Sequence, residues 1–174
     1  MIINEKKEVE RYFDIQEGLI SFHNQFNYES NDRAIVVVGL AFIEDQLLYC
    51  LESFLPKKSS TVEKILSHRG FLGTYSAKVD LLYCLGFIDK MIKTDLDGLG
   101  QIRNLFAHKV NISFKHDQVI KICNEFKWYK TAMMMNAPEG ATSKEIFKVE
   151  VNNIVSHLSG IASICRGEKR QLKN

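Results

Sequence analysis

Residues 34–43 are ten apolar residues in a row, ended by the acidic pair Glu44 and Asp45. No feature constrains the fold more. The run is too short for a bilayer span, which needs about 20 residues, and too apolar to lie bare on a surface. Ser30, Asn31 and Asp32 precede it with side-chain oxygens suited to an N-cap, and Pro56 closes the segment. The expected element is a helix from about Arg33 to Phe54, apolar all round in its first half and therefore central, enclosed by its neighbours. Ile35–Val38 also has strand composition, but no second alternating segment is available to pair with it.

Helical spacing dominates the rest of the chain. Val9, Phe13, Leu19 or Ile20, and Phe22 fit a helix over 5–24. Ser60-Thr61-Val62-Glu63 reads as a capping box for a short helix at 61–67. Thr74 or Ser76 can start a helix to Leu85, with Gly86 at its end. After a turn at Asp89–Thr94, Asp95 is expected to start a helix through Leu96, Leu99, Ile102 and Leu105/Phe106 to about His108. Asp117 can cap one over Val119–Phe126, and a last helix fits Ser143–Cys165. Residues 127–142 are less regular; Met133–Met135 read there as an adaptable contact surface. With no repeat and no linker, residues 1–174 are expected to form a single all-α domain, a helical bundle with two long central helices and shorter flanking ones.

A net charge of +2, from 23 Lys and Arg against 21 Asp and Glu, excludes nucleic-acid binding by bulk positive charge. The tail residues Arg166, Lys169, Arg170 and Lys173 are either a local basic site or a solvated helix end. Residues Asn4–Glu8 contain no apolar stretch of the kind a secretory signal needs. Cys50, Cys84, Cys123 and Cys165 lie far apart in apolar surroundings and read as buried free thiols of a reduced compartment. A cytoplasmic protein with no membrane association is expected.

Several familiar chemistries lack their residues. Gly98 and Gly100 fall in a helix without the third glycine of a phosphate loop. His68, His108, His116, Cys84 and Cys123 share no zinc-ligand spacing. Asp95 and Asp97 lack the other ligands of a calcium loop, and there is no nucleophile elbow. No metal and no cofactor are expected. The segment Ile102-Arg103-Asn104-Leu105-Phe106-Ala107-His108 stands apart. At about 100° per residue, Leu99, Ile102 and Phe106 share one face, while Asn104 and His108 stack opposite with Arg103 at the border. An ordinary polar face explains that pattern too. Its chemistry nevertheless suits RNA cleavage without metal. His108 would move a proton at the ribose 2′-hydroxyl or the leaving oxygen, Arg103 would neutralise the phosphate, and Asn104 would orient either. Acid and base are two tasks, so a homodimer joining two such faces is required.

Arg103 to His108 resembles the Arg–polar–x–x–x–His motif of the HEPN superfamily of all-α proteins. The stretch Gly70–Ile88 (GFLGTYSAKVDLLYCLGFI), with Phe42-Ile43-Glu44-Asp45, Ile102–His108, Ser113-Phe114 and Cys123-Asn124-Glu125, is similar to the mannitol operon repressor (MltR-like) family over about residues 34–126. The HEPN resemblance implies a dimeric, metal-independent endoribonuclease acting on RNA, often a toxin or anti-phage effector held by an antitoxin or regulatory protein. Arg103 and His108 are then catalytic and Asn104 assists. The tyrosine that such partners modify, two residues after the His, is Val110 here. The repressor resemblance implies instead a non-catalytic regulator or interaction module, although neither a helix-turn-helix signature nor a basic recognition helix is visible. The enzyme is the first expectation and the regulator the alternative.

Glu44 and Asp45 interrupt an apolar helix; they either face the same cleft and orient Arg103 or His108, or form a surface stripe. Lys78 and Lys109 are candidate RNA contacts. Tyr75 and Lys78 lie within the family-like segment, where a structural role is favoured. Trp128, Tyr129 and Lys130 combine aromatic and basic groups as a base-stacking site would, but packing accounts for them better.

Overall fold

The computed structural model describes residues 17–56, 60–131 and 137–172. Among them every regular element is a helix: α1 over 17–28, α2 Asp32–Phe54, α3 Ser60–Leu66, α4 Tyr75–Cys84, α5 Lys90–His108, α6 Asp117–Glu125, α7 Trp128–Thr131 and α8 Ser143–Gly167. The strand alternative at Ile35–Val38 is not adopted, because Asn31 Oδ1 accepts the backbone N–H groups of Arg33 and Ala34, both at 3.0 Å, and starts a helix through that segment. Met133–Met135, and the part of the expected first helix before residue 17, lie outside the described residues.

The two long helices α2 and α8 run side by side in the same direction. Val151 meets Gly39, and the Cys50 thiol donates to the Leu158 carbonyl at 3.3 Å. Helix α1 crosses both in the opposite sense: Phe26 rests on Gly39 and Phe22 stacks on Phe42 at 4.2 Å, while Asn152 donates to Asn27 at 2.8 Å. Gly39 lets the three helices close, since a Cβ there would meet the Phe26 ring at 3.1 Å and Val151 at 3.3 Å. Ile35, Leu40, Ile43, Leu47, Leu96, Leu99, Phe147 and Leu158 share one core with no more than traces of exposed surface. Truncating any of these to Ala costs about 2–5 kcal/mol.

Helix α2 has the length and composition of a membrane span, yet it is the core helix of this bundle, packed along α8. Its enclosure is incomplete: Val37 and Val38 are 57% and 46% exposed. Cys84 departs from the expectation for the thiols, being exposed where the other three are buried.

Two boundaries moved for a physical reason. Helix α5 begins at Lys90 rather than Asp95, because Asp89 accepts the N–H of Ile92 at 2.9 Å and caps it one turn and a half earlier. Asp95 does accept backbone N–H groups, as a capping residue should, but they are those of Lys127 and Trp128, where α7 begins. At α6 the cap is His116, whose Nδ1 accepts the N–H of Gln118 at 3.3 Å, and Asp117 is already helical.

Candidate functional site

Glu44 follows the apolar run of α2 and points between α4 and α5. Its Oε1 accepts Lys78 Nζ at 3.0 Å, and its Oε2 accepts Arg103 Nη1 at 3.2 Å. One carboxylate therefore serves two cations of different character. The Lys78 side chain is 5% exposed and spends a second donor on the Gly73 carbonyl at 3.2 Å, as a buried ammonium must. The Arg103 side chain is 46% exposed and keeps most of its guanidinium face for solvent. Beneath them Tyr75 is buried, donates its hydroxyl to the Leu96 carbonyl at 2.9 Å, and lies against Gly100, where any Cβ would press on its ring. Burial pushes the Tyr75 hydroxyl well above its usual range.

These residues floor a groove of about 1070 Å³ lined by Glu44, His68, Thr74, Asp97, Arg103 and Asn104. At its rim the chain turns through Arg69-Gly70-Phe71-Leu72-Gly73. Leu72 donates to the Ile65 carbonyl at 2.8 Å, and Gly73 donates to that of Gly70 at 3.0 Å. A Cβ on Gly70 or Gly73 would collide with the carbonyls of Lys64 and His68, so this path demands glycine at both positions. Leu72 is buried while Phe71 is 87% exposed. A large aromatic is thus held in water by a turn anchored on both sides and bonded to Lys78.

The sequence candidates divide between two faces of α5. Arg103 lines the Glu44 groove, whereas His108 lines a second groove of about 560 Å³ with Lys109, Gln118, Lys121 and Glu125. Only Asn104 and Gln101 reach both, as the ridge between them. The five-residue spacing, about 140° on a helix, is kept to the end because α5 stays helical through His108. Arg33 fixes that end. Its guanidinium donates to the carbonyls of Phe106, Lys109 (2.9 Å) and Val110 (3.1 Å), a cation where the helix dipole favours one.

Glu44 faces Arg103, whereas Asp45 is exposed and outside the groove lining. Partial burial raises the Asp45 carboxyl, with Glu44 adding to the effect and Lys78 opposing it. Lys78 is a buried structural cation, and Lys109 donates to Gln118 at 2.7 Å. Trp128 packs on His157 at 4.6 Å and Lys130 lies over Tyr129 at 5.3 Å, which is the packing role. In the tail, Arg166 donates to the Tyr49 hydroxyl and Arg170 covers the Phe54 ring at 5.2 Å. Sequence reasoning overlooked Arg33 and Phe71; for Phe71 the signal was the pair of glycines flanking two apolar residues in a loop.

Residues 42–157 match the family described as mannitol repressor, MtlR. Among solved structures, the chain is similar to one titled as the X-ray structure of the MtlR–HPr complex from Escherichia coli. The identity is 21%, covering 84% of this chain and 99% of that one, with a TM-score of 0.55, a likeness of fold. No curated protein matches the chain. The expectation of a metal-independent endoribonuclease, with its toxin or anti-phage role, is corrected by this match, which is to a repressor family. The geometry agrees with the correction: within one chain, the arginine and histidine of the HEPN-like segment face different grooves.

Proposed function

The chain belongs to the mannitol repressor (MtlR) family, and from that premise we propose that it is a cytoplasmic, non-catalytic regulator acting through a protein partner docked at the Glu44–Arg103 groove. The observation that carries this reading is Phe71, exposed on a turn its glycines hold in one path. Rigid aromatics and partly free arginines are the side chains on which protein interfaces concentrate their energy, because little conformational entropy is lost when they are covered. Phe71 supplies the apolar anchor, and Arg103, already oriented by Glu44, supplies a charged fork for a carboxylate or carbonyl of the partner. Of the segment that resembles the HEPN motif, Arg103 and Asn104 form the binding edge, and His108 faces the other groove. The partner class suggested by the solved relative is HPr.

Calorimetric titration with HPr from the same organism tests this reading. Saturable binding is expected, weakened at least tenfold by Phe71→Ala and by Arg103→Glu, a loss of about 1.4 kcal/mol or more, while His108→Ala binds as the unmodified chain does. Equal affinity in all four proteins would place the interface elsewhere. A second copy of the chain is a further partner. The exposed Val37, Val38 and Ala41 give α2 an apolar edge for it, and a monomeric mass in sedimentation at high concentration would rule it out.

A further inference from the structure

The geometry points to a proton-operated latch: a single proton held between Asp95 of α5 and Glu150 of α8 closes both helices onto the segment 127–131, and loss of that proton releases the segment.

Both side chains are buried to within 1% of completeness. Asp95 Oδ2 accepts the backbone N–H of Lys127 at 2.8 Å and that of Trp128 at 2.6 Å. Glu150 Oε2 accepts the N–H of Tyr129 at 2.9 Å. These three donors lead into α7 and have no carbonyl partner of their own at a helix start. The two carboxyls therefore cap one short element from two different helices. Each has a second oxygen, Asp95 Oδ1 and Glu150 Oε1, that receives no N–H or hydroxyl donor from the described residues. Asp95 Oδ2 and Glu150 Oε2 accept the N–H groups of the consecutive residues Trp128 and Tyr129, which holds the two carboxyls side by side. Two carboxylates cannot both be charged at such range without a cation between them. Lys127 and Lys130 attract Asp95 and Glu150 through space, but both lysines are exposed, and Lys130 Nζ donates to the Asn124 carbonyl at 3.1 Å. One proton between the pair satisfies both oxygens, with Glu150 donating and Asp95 accepting.

The other titratable neighbours stay neutral. On α6, burial and then the charge of Glu150 push the Cys123 thiol up to about 12. On α8, burial pushes His157 below its usual value, opposed by Asp89, and its ring packs on Trp128. Burial first, and Asp95 second, raise Glu150 to about 8, and burial raises Asp95 as well. The pair thus keeps its proton at neutral pH and loses it as the pH passes that value. A second negative charge then appears in a dry site, and opening of 127–131 to water relieves it.

Trp128 is the only tryptophan of the chain and sits in the latch, half-buried. Its emission, followed in the full chain as pH is raised, reads the latch directly. A red shift with a midpoint near the Glu150 value of about 8 is expected. Glu150→Gln, which keeps a donor toward Asp95 and cannot ionise, should hold the blue emission throughout, while His157→Gln should leave the midpoint in place. Emission that stays constant in the unmodified chain, or a Glu150→Gln protein that titrates with the same midpoint, overturns the latch. If Glu150→Gln does not fold, amide exchange decides in the unmodified chain. Protection at residues 127–129 lost above the midpoint, while α2 amides stay protected, supports the latch; equal behaviour of the two regions refutes it.

Discussion

Helix α5 carries one carboxylate system on each side, and the two solve the same electrostatic problem differently. Toward α2 and α4, Glu44 is paired with two cations, one buried and one half in water. Toward α8, Asp95 and Glu150 accept backbone N–H groups and no side-chain cation among the described residues, and in the proposed latch they share a proton. The first arrangement leaves a charged guanidinium at the surface, available to a partner. The second exposes nothing and makes a short segment sensitive to pH. In the function and latch proposed above, ion pairing builds a docking surface and proton sharing builds an internal clasp.

The comparison breaks most visibly at Glu44. Glu44→Ala leaves the buried Lys78 ammonium with only the Gly73 carbonyl, and a loss of about 3 kcal/mol in urea unfolding is expected. A loss below about 1 kcal/mol would mean that Lys78 reaches water. At the other pole, Glu150 binds its proton more tightly in the folded chain than in the unfolded one. Its contribution is therefore fully present below the unfolded value of 4.5 and declines until the pH passes about 8. Across that window stability should fall by as much as about 1.4 kcal/mol per pH unit, and Glu150→Gln should flatten the slope. The same slope in both proteins would assign the proton to another group. The smallest effect belongs to Arg103. Its side chain is nearly half exposed, so Arg103→Ala should cost under about 1 kcal/mol of stability while still weakening partner binding. A large loss of stability would make Arg103 a structural residue and remove it from the docking surface.

Much of this was legible in the chain. Asn31, Thr74 and Gly86 announced their helix ends, because caps act over a few residues; the Thr142–Glu145 capping box of α8 is equally local and was not read. The acid pair was readable too, yet was not read. Asp95 lies three residues after Ile92 and four before Leu99; Glu150 lies three after Phe147 and four before Ile154. Both carboxylates therefore sit on the apolar stripes of their helices, a position that signals a buried partner. What no local rule could supply was the identity of that partner, since α5 and α8 are far apart in sequence. The reverse error occurred at Arg103 and His108. Their chemistry was coherent, but the helical spacing that made the motif recognisable also keeps them on separate faces. Arg33 escaped notice because the carbonyls it holds belong to a helix end more than seventy residues away.

Hydrogen–deuterium exchange of the chain alone and in the presence of excess HPr tests the central claim most directly. Added protection is expected at residues 67–74 and 97–104, the Phe71 turn and the Arg103 edge of α5, with the α5–α6 groove around His108 unchanged. Protection centred on His108, Lys109 and Lys121 with none at 67–74 would contradict it and move the docking surface to the opposite face of α5.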